Sequence, residues 1–235
     1  MSIFRDLSTV AACAFFFFIT SVAADDIDQG LVAAQHGDFA TALRLWRPAA
    51  EQGNVDALFN LGLMYSNGDG VVKNIPEAIK WFQRAGEKGH QRAQFRLGVT
   101  YDHGDGIAKN VVEAARWYRL AAEQGDAEAQ YNLGAMYATG EGVPKKPTAA
   151  AKWYRLAATQ GYAVAQFNLG VLYALGEGVP RDNARAYLWI GLAATQGEPN
   201  AAKNLETVRS KLNRAELVKA PELTRTCKAH RYQDC

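Results

Sequence analysis

Cysteine is scarce in this chain. Cys13, Cys227 and Cys235 are the whole complement, so no cysteine pair recurs along its body. A charge bias is lacking too. Lys and Arg number 26 against 24 Asp and Glu, a formal net charge of +2. Nucleic-acid partners normally demand a strong basic excess, so none is expected. His36, His90, His103 and His230 are scattered, and no spacing puts two metal ligands on one helix face. No serine or cysteine sits in a nucleophile motif, and no glycine-rich loop follows an apolar strand to cradle phosphate. The carboxylates fall mostly in turns and helix caps. The chain therefore reads as a non-enzyme with no metal and no cofactor. At 49% apolar and 21% charged it is globular, not disordered.

Only one long apolar run is present. "VAACAFFFFITSVAA" (10–24) follows Arg5, is polar only at Thr20 and Ser21, and ends in small residues before "DDIDQ". This is the layout of a secretory signal peptide over 1–24, cut near Ala24, and it places the mature chain in the periplasm or outside the cell. An uncleaved anchor is the alternative and the only route to a membrane. The run is shorter than the ~20 residues a spanning helix needs. "VAAC" at 10–13 resembles a lipoprotein box, but the apolar block lies mostly after Cys13. Export leaves Cys227 and Cys235 as an even pair, the pattern of one disulfide. Free thiols are one alternative. Metal binding with His230 is another, but three ligands without a fourth make a poor zinc site. A bridge requires the chain to turn back after Cys227, because eight helical residues rise ~12 Å.

Repetition, by contrast, is abundant. "FNLGLMYSNGDGV" at 59–71 returns as "FRLGVTYDHGDGI", "YNLGAMYATGEGV" and "FNLGVLYALGEGV", each 36 residues on. The recurrence defines four units: 54–89, 90–125, 126–161 and 162–197. Fixed columns hold Ala57, Ala93, Ala129, Ala165; Leu61, Leu97, Leu133, Leu169; Gly62, Gly98, Gly134, Gly170; and Tyr65, Tyr101, Tyr137, Tyr173. Trp81, Trp117, Trp153 and Trp189 form a further column, expected to be buried between hairpins. Periods of this length indicate a solenoid of helical hairpins.

Ala57, Leu61 and Tyr65 make one stripe of a first helix. Glycine inside a helix costs ~1 kcal/mol against alanine, so Gly62 and its equivalents imply close approach of a bulky aromatic from the partner helix. Gly68, Gly104, Gly140 and Gly176 end that helix in the left-handed conformation. Ala78, Trp81, Phe82 and Ala85 stripe the second helix. Asn74 with Glu77, and Asn110 with Glu113, have capping-box spacing at its start. Gly53, Gly89, Gly125, Gly161 and Gly197 close the second helices. Val71, Ile107, Val143 and Val179 pin the connectors. The turn carboxylates Asp69, Asp105, Glu141 and Glu177 lack the neighbouring oxygens of a calcium loop. Lys73, Lys109, Lys145 and Arg181 read as a solvated ridge, with a bound acidic surface as the alternative. In 198–235, Leu205, Val208 and Leu212 share a face, and Asn213 and Glu216 form a fresh capping box. Pro221 is expected to kink or interrupt the helix that this box starts.

These columns resemble the Sel1-like repeat, a relative of the tetratricopeptide repeat with a longer connector. Residues 25–53 keep Ala42, Leu45, Trp46, Ala49 and Gly53 and resemble a degenerate capping copy short of four connector residues. Residues 198–235 resemble the C-terminal cap that terminal repeats require. The resemblance implies an all-α, right-handed superhelical solenoid of stacked helical hairpins whose first helices line a concave face. It implies a periplasmic adaptor for another protein, of the kind that regulates exopolysaccharide production or envelope signalling. The alternative is an exported hydrolase of the β-lactamase-like cysteine-rich type, which carries a cysteine pair in each repeat.

On the concave face the resemblance places Asn60, Arg96, Asn132 and Asn168, flanked by Asp56, Arg92, Glu128 and Val164, and by Ser66, Asp102, Ala138 and Ala174. In related tetratricopeptide proteins the matching asparagine holds a ligand's main chain, a role that suits an amide able to donate and accept. The alternative is that these asparagines only bond neighbouring helices. Phe59, Phe95, Tyr131 and Phe167 read as core.

Overall fold

In the computed structural model, which describes residues 25–229 and Tyr232, the glycine punctuation becomes helix ends. The described residues form twelve helices and no strand, and 74% of these residues are helical. The order is α1 (25–35), α2 (Phe39–Glu51), α3 (Val55–Asn67), α4 (Ile75–Glu87), α5 (Gln91–His103), α6 (Val111–Glu123), α7 (Ala127–Thr139), α8 (Pro147–Thr159), α9 (Ala163–Leu175), α10 (Asn183–Thr195), α11 (Ala201–Arg209) and α12 (Arg214–Ala229). Residues 1–24, where an export segment was expected, and His230 and Cys235 lie outside the described residues.

Each first helix stops as its sequence dictates. Gly68 sits at φ 89°, and its N–H donates to Met64 O. The chain then returns to its own helix. The N–H groups of Asn74, Asn110, Lys146 and Asp182 donate to the carbonyls of Tyr65, Tyr101, Tyr137 and Tyr173 at 2.8, 2.8, 2.9 and 3.0 Å. This return bond explains why the expected capping boxes form only by half. Asn74 Oδ1 accepts from Glu77 N and Asn110 Oδ1 from Glu113 N, but the asparagine N–H is already taken. The glutamates turn instead to Lys80 and Arg116.

The chain divides into two compact units, with the boundary between Ala93 and Gln94. In the first, α3 packs against α2 and α4. Phe82 occupies the space a side chain at Gly62 would need, and Trp46 does the same at Gly30. Gly30 thus repeats in α1 the glycine–aromatic approach of the full hairpins. In the second unit, α7 packs against α6 and α8, α9 against α8 and α10, and α10 against α11 and α12. A Cβ at Gly98 would stand 2.5 Å from the Tyr118 ring and one at Gly134 2.7 Å from the Tyr154 ring. At Gly170 the neighbour is Ile190, which is not aromatic.

The tryptophan column is uneven. Trp117 and Trp189 are 1% and 0% exposed. Trp81 and Trp153 are only half-buried, against expectation, with Arg84 and Lys152 lying over their rings. The C-terminal segment also departs from expectation. The Asn213–Glu216 capping box forms in both directions. The helix it starts continues through Pro221, where a kink or break was expected. Buried Ala220 and Cys227 hold it on both sides of the proline, so losing one ladder bond does not end it. Cys227 is disulfide-bonded. Tyr232 N donates to Cys227 O at 2.8 Å, with Tyr232 at φ 64°, so the chain turns soon after Cys227.

Candidate functional site

The repeat register puts the candidate residues at equivalent places on successive first helices. Asp56 and Asn60 are on α3, Arg92 and Arg96 on α5, Glu128 and Asn132 on α7, and Asn168 on α9. Asn60 is buried, Asn132 and Asn168 are half-buried, and the four charged residues are exposed. The side chains of Asn60, Asn132 and Asn168 form no hydrogen bond with another described residue.

In the first unit, two of the charged candidates are already engaged. His90 caps α5, its Nδ1 accepting from Ala93 N at 3.1 Å. Its ring stacks on Phe59 with centroids 4.3 Å apart. Asp56 Oδ1 lies 3.6 Å from His90 Nε2, and the Arg92 guanidinium sits 5.0 Å from the Phe59 ring centre. Burial pushes the His90 pKa below its ordinary value, against the pull of Asp56. Phe59 is core, as its spacing indicated, whereas Phe95, Tyr131 and Phe167 of the same column are only half-buried.

The sequence reading missed a second polar column. Gln94, Gln130 and Gln166 directly follow the alanine column and are 4%, 4% and 0% exposed. Each accepts from the glutamine that caps its own hairpin's second helix: Gln124 at 2.6 Å, Gln160 at 2.9 Å and Gln196 at 2.8 Å. Gln130 and Gln166 also donate to Ala122 O and Ala158 O, carbonyls of the preceding hairpin, each at 3.1 Å. One amide thus ties three helix segments. The signal was present in the 36-residue recurrence of both glutamines, which the first repeat replaces by Leu58 and Lys88. Tyrosines of the fixed column serve similarly. Tyr65, Tyr137 and Tyr173 hydroxyls accept from Arg47, Arg119 and Arg155 of the preceding hairpin.

The basic ridge is engaged at one point, where Lys109 Nζ lies 3.1 Å from Glu141 and 3.8 Å from Asp102. Burial pushes the Tyr118 and Tyr154 hydroxyls far up, so neither is an acid or base near neutral pH. Among the described residues no group of three His, Cys, Asp or Glu side chains is placed to hold a metal ion. No described helix is long and apolar enough to cross a membrane.

A family model for the Sel1 repeat matches residues 29–54, 55–90, 91–126, 127–162 and 163–198. A Sel1 repeat protein from Oxalobacter formigenes is 37% identical, with 78% of this chain and 74% of that one covered and a TM-score of 0.66. A protective antigen present in uropathogenic Escherichia coli strains, displaying an SLR fold, is 28% identical over 91% of this chain and 56% of that one, with a TM-score of 0.56. No curated protein matches. Five matched repeats spanning most of the described residues, in helical hairpins closed by the same glycines, decide the family: the chain belongs to the Sel1 repeat proteins, generally non-catalytic protein-interaction scaffolds.

Proposed function

We propose that this protein is a periplasmic adaptor that holds an extended segment of another protein along the asparagine column, in the service of envelope signalling or exopolysaccharide production. One contrast carries the reading. The buried glutamines are satisfied by their neighbours, whereas the amides of the half-buried residues Asn132 and Asn168 have no hydrogen bond to another described residue. An amide that no neighbouring residue occupies is free both to donate and to accept, and a peptide main chain offers it both partners. Exposed Arg96, which occupies this column one repeat earlier, and Glu128, which flanks it, supply charge for register and choice of partner. The periplasmic assignment rests on the layout of residues 1–24.

The test is a selection of extended peptides from a displayed library on residues 25–235, followed by the double variant Asn132→Ala with Asn168→Ala. Surface changes of this kind normally fall within about 0.5 kcal/mol of stability. Losing one uncharged hydrogen bond to the ligand costs ~0.5–1.5 kcal/mol of binding. The expected result is an intact melting curve with several-fold weaker peptide binding. A collapsed melt with undiminished binding per folded molecule assigns the column to the scaffold instead.

A further inference from the structure

We propose that the outer face of α8 is a second docking surface, independent of the asparagine column, and that it takes an acidic peptide segment carrying one large apolar side chain. A cleft of about 250 Å³ opens here. Ala151, Lys152, Arg155 and Leu156 of α8 form one wall, and Gly178 and Val179 of the connector after α9 form the other. The connector backbone lies directly on the first turn of α8, where a side chain at Gly178 would run into Pro147. The volume falls below the ~300–1,000 Å³ of small-molecule sites, so it seats one anchoring side chain and not a metabolite. Leu156, 39% exposed, and half-buried Val179 give that side chain apolar contact.

Charge selects the partner. Between Gly142 and Arg181 the chain carries five cations, Lys145, Lys146, Lys152, Arg155 and Arg181, against the one carboxylate of Glu177. The whole chain is nearly balanced, so this excess is local. The corresponding lysine and arginine of the earlier hairpins are neutralised within their own helix, Lys80 by Glu77 and Arg116 by Glu113. In α8 that glutamate is Ala149. Lys152 is exposed and makes no ion pair with another described residue. Arg155 donates to the Tyr173 hydroxyl and makes no ion pair with another described residue. Glu177, next to Gly178, makes no ion pair with a described residue either. Two cations at the rim of an apolar cleft complement carboxylates flanking an apolar anchor, the arrangement of a buried hot spot with a charged rim.

The probe is a fluorescein-labelled peptide with a central leucine between two pairs of acidic residues, titrated into residues 25–235 and read by fluorescence polarisation. Ala149→Glu restores the intrahelical partner of Lys152 and should stabilise α8 through an acidic first turn. The expected result is a melting midpoint at or above wild type with peptide binding weakened about tenfold, the loss of one charge-assisted contact. Lys152→Glu should weaken binding at least as much, and a peptide with alanine for leucine should bind less well to every variant. The Asn132→Ala, Asn168→Ala protein should bind the acidic peptide as wild type does, which separates this surface from the asparagine column. The proposal is overturned by no measurable binding to wild type, or by binding indifferent to both α8 variants. It is equally overturned if the leucine-free peptide, polyuridine or phosphatidylglycerol vesicles bind as tightly and lose as much in both variants, since the face is then a general polyanion attractor.

Discussion

Gln166 offers the sharpest test of how the hairpins are held together. Its side chain is fully buried, donates to Ala158 O at 3.1 Å and accepts from Gln196 at 2.8 Å. Replacing it by leucine removes two hydrogen bonds worth ~1 kcal/mol each. Two features soften that loss. Ala158 O keeps a second donor, Gly161 N at 3.0 Å, and the exposed Gln196 can turn to water. Leucine also buries more apolar surface than it replaces. The expected cost of Gln166→Leu is therefore only ~1 kcal/mol. Gln166→Ala adds a cavity and should cost ~2–4 kcal/mol. Gln166→Glu keeps the shape but sets a carboxylate oxygen against Ala158 O in a dry site, at ~3–5 kcal/mol. That last penalty should shrink at acidic pH, where the neutral carboxyl can donate again. Urea unfolding of residues 25–235, monitored by far-ultraviolet circular dichroism, gives the order Leu, Ala, Glu from mildest to most severe. The first repeat carries its own control in Leu58 and Lys88. Copying that pair as Gln166→Leu with Gln196→Lys should recover most of the leucine variant's loss. If glutamate proves as mild as leucine, the site is wet and the glutamine ties nothing.

Gly134→Ala should gain ~1 kcal/mol of helix propensity and lose more to overpacking, ~1–3 kcal/mol, because its Cβ would stand 2.7 Å from Tyr154. A raised melting midpoint would refute the close-approach account of the glycine column. Trp117→Ala should cost ~3–5 kcal/mol and half-buried Trp153→Ala clearly less; equal losses by calorimetry would contradict the uneven burial. His90 links stability to pH. Its folded pKa lies below the ordinary 6.5, so the unfolded chain binds the proton better. Stability is full above that value, falls as pH drops through it, and levels off below the folded pKa. His90→Asn copies the capping residue of the first repeat, Asn54, and should flatten the part of the urea-midpoint profile that falls as pH drops below the ordinary histidine value. A slope unchanged in the variant would assign it to other groups.

The candidate site was legible in part. Asn60, Asn132 and Asn168 stand out as a polar column before the Leu-Gly pair, and in the folded chain those amides have no hydrogen bond to another described residue. Gln94, Gln130 and Gln166 recur just as regularly, yet periodicity does not distinguish a polar side chain that faces outward from one that is tied inside. Asp56 and Arg92 are exposed, as their register implied, but in the first unit they also lie against His90 and Phe59. The unpaired Lys152 was visible as a missing glutamate, but the cleft beside it required the connector's path.

Local rules determined the helices from sequence alone. A left-handed glycine such as Gly68 ends a helix in any context that needs positive φ, and Asn54, Asn74 and Asp126 start one by accepting the orphan N–H groups of the first turn. The 36-residue period fixed the unit because one hairpin cannot bury its apolar stripe alone. Burial and partner choice were decided only by the tertiary structure. Trp117 and Trp153 occupy the same column, yet one is closed off and the other half open. Glu77 and Glu113 left their capping boxes because the folded connector had already bonded the asparagine N–H to a tyrosine carbonyl. α12 ran through Pro221 because contacts with α10 and buried side chains on both sides outweighed one lost hydrogen bond. These are non-local energies, summed over groups far apart in sequence, and a repeat motif carries no record of them.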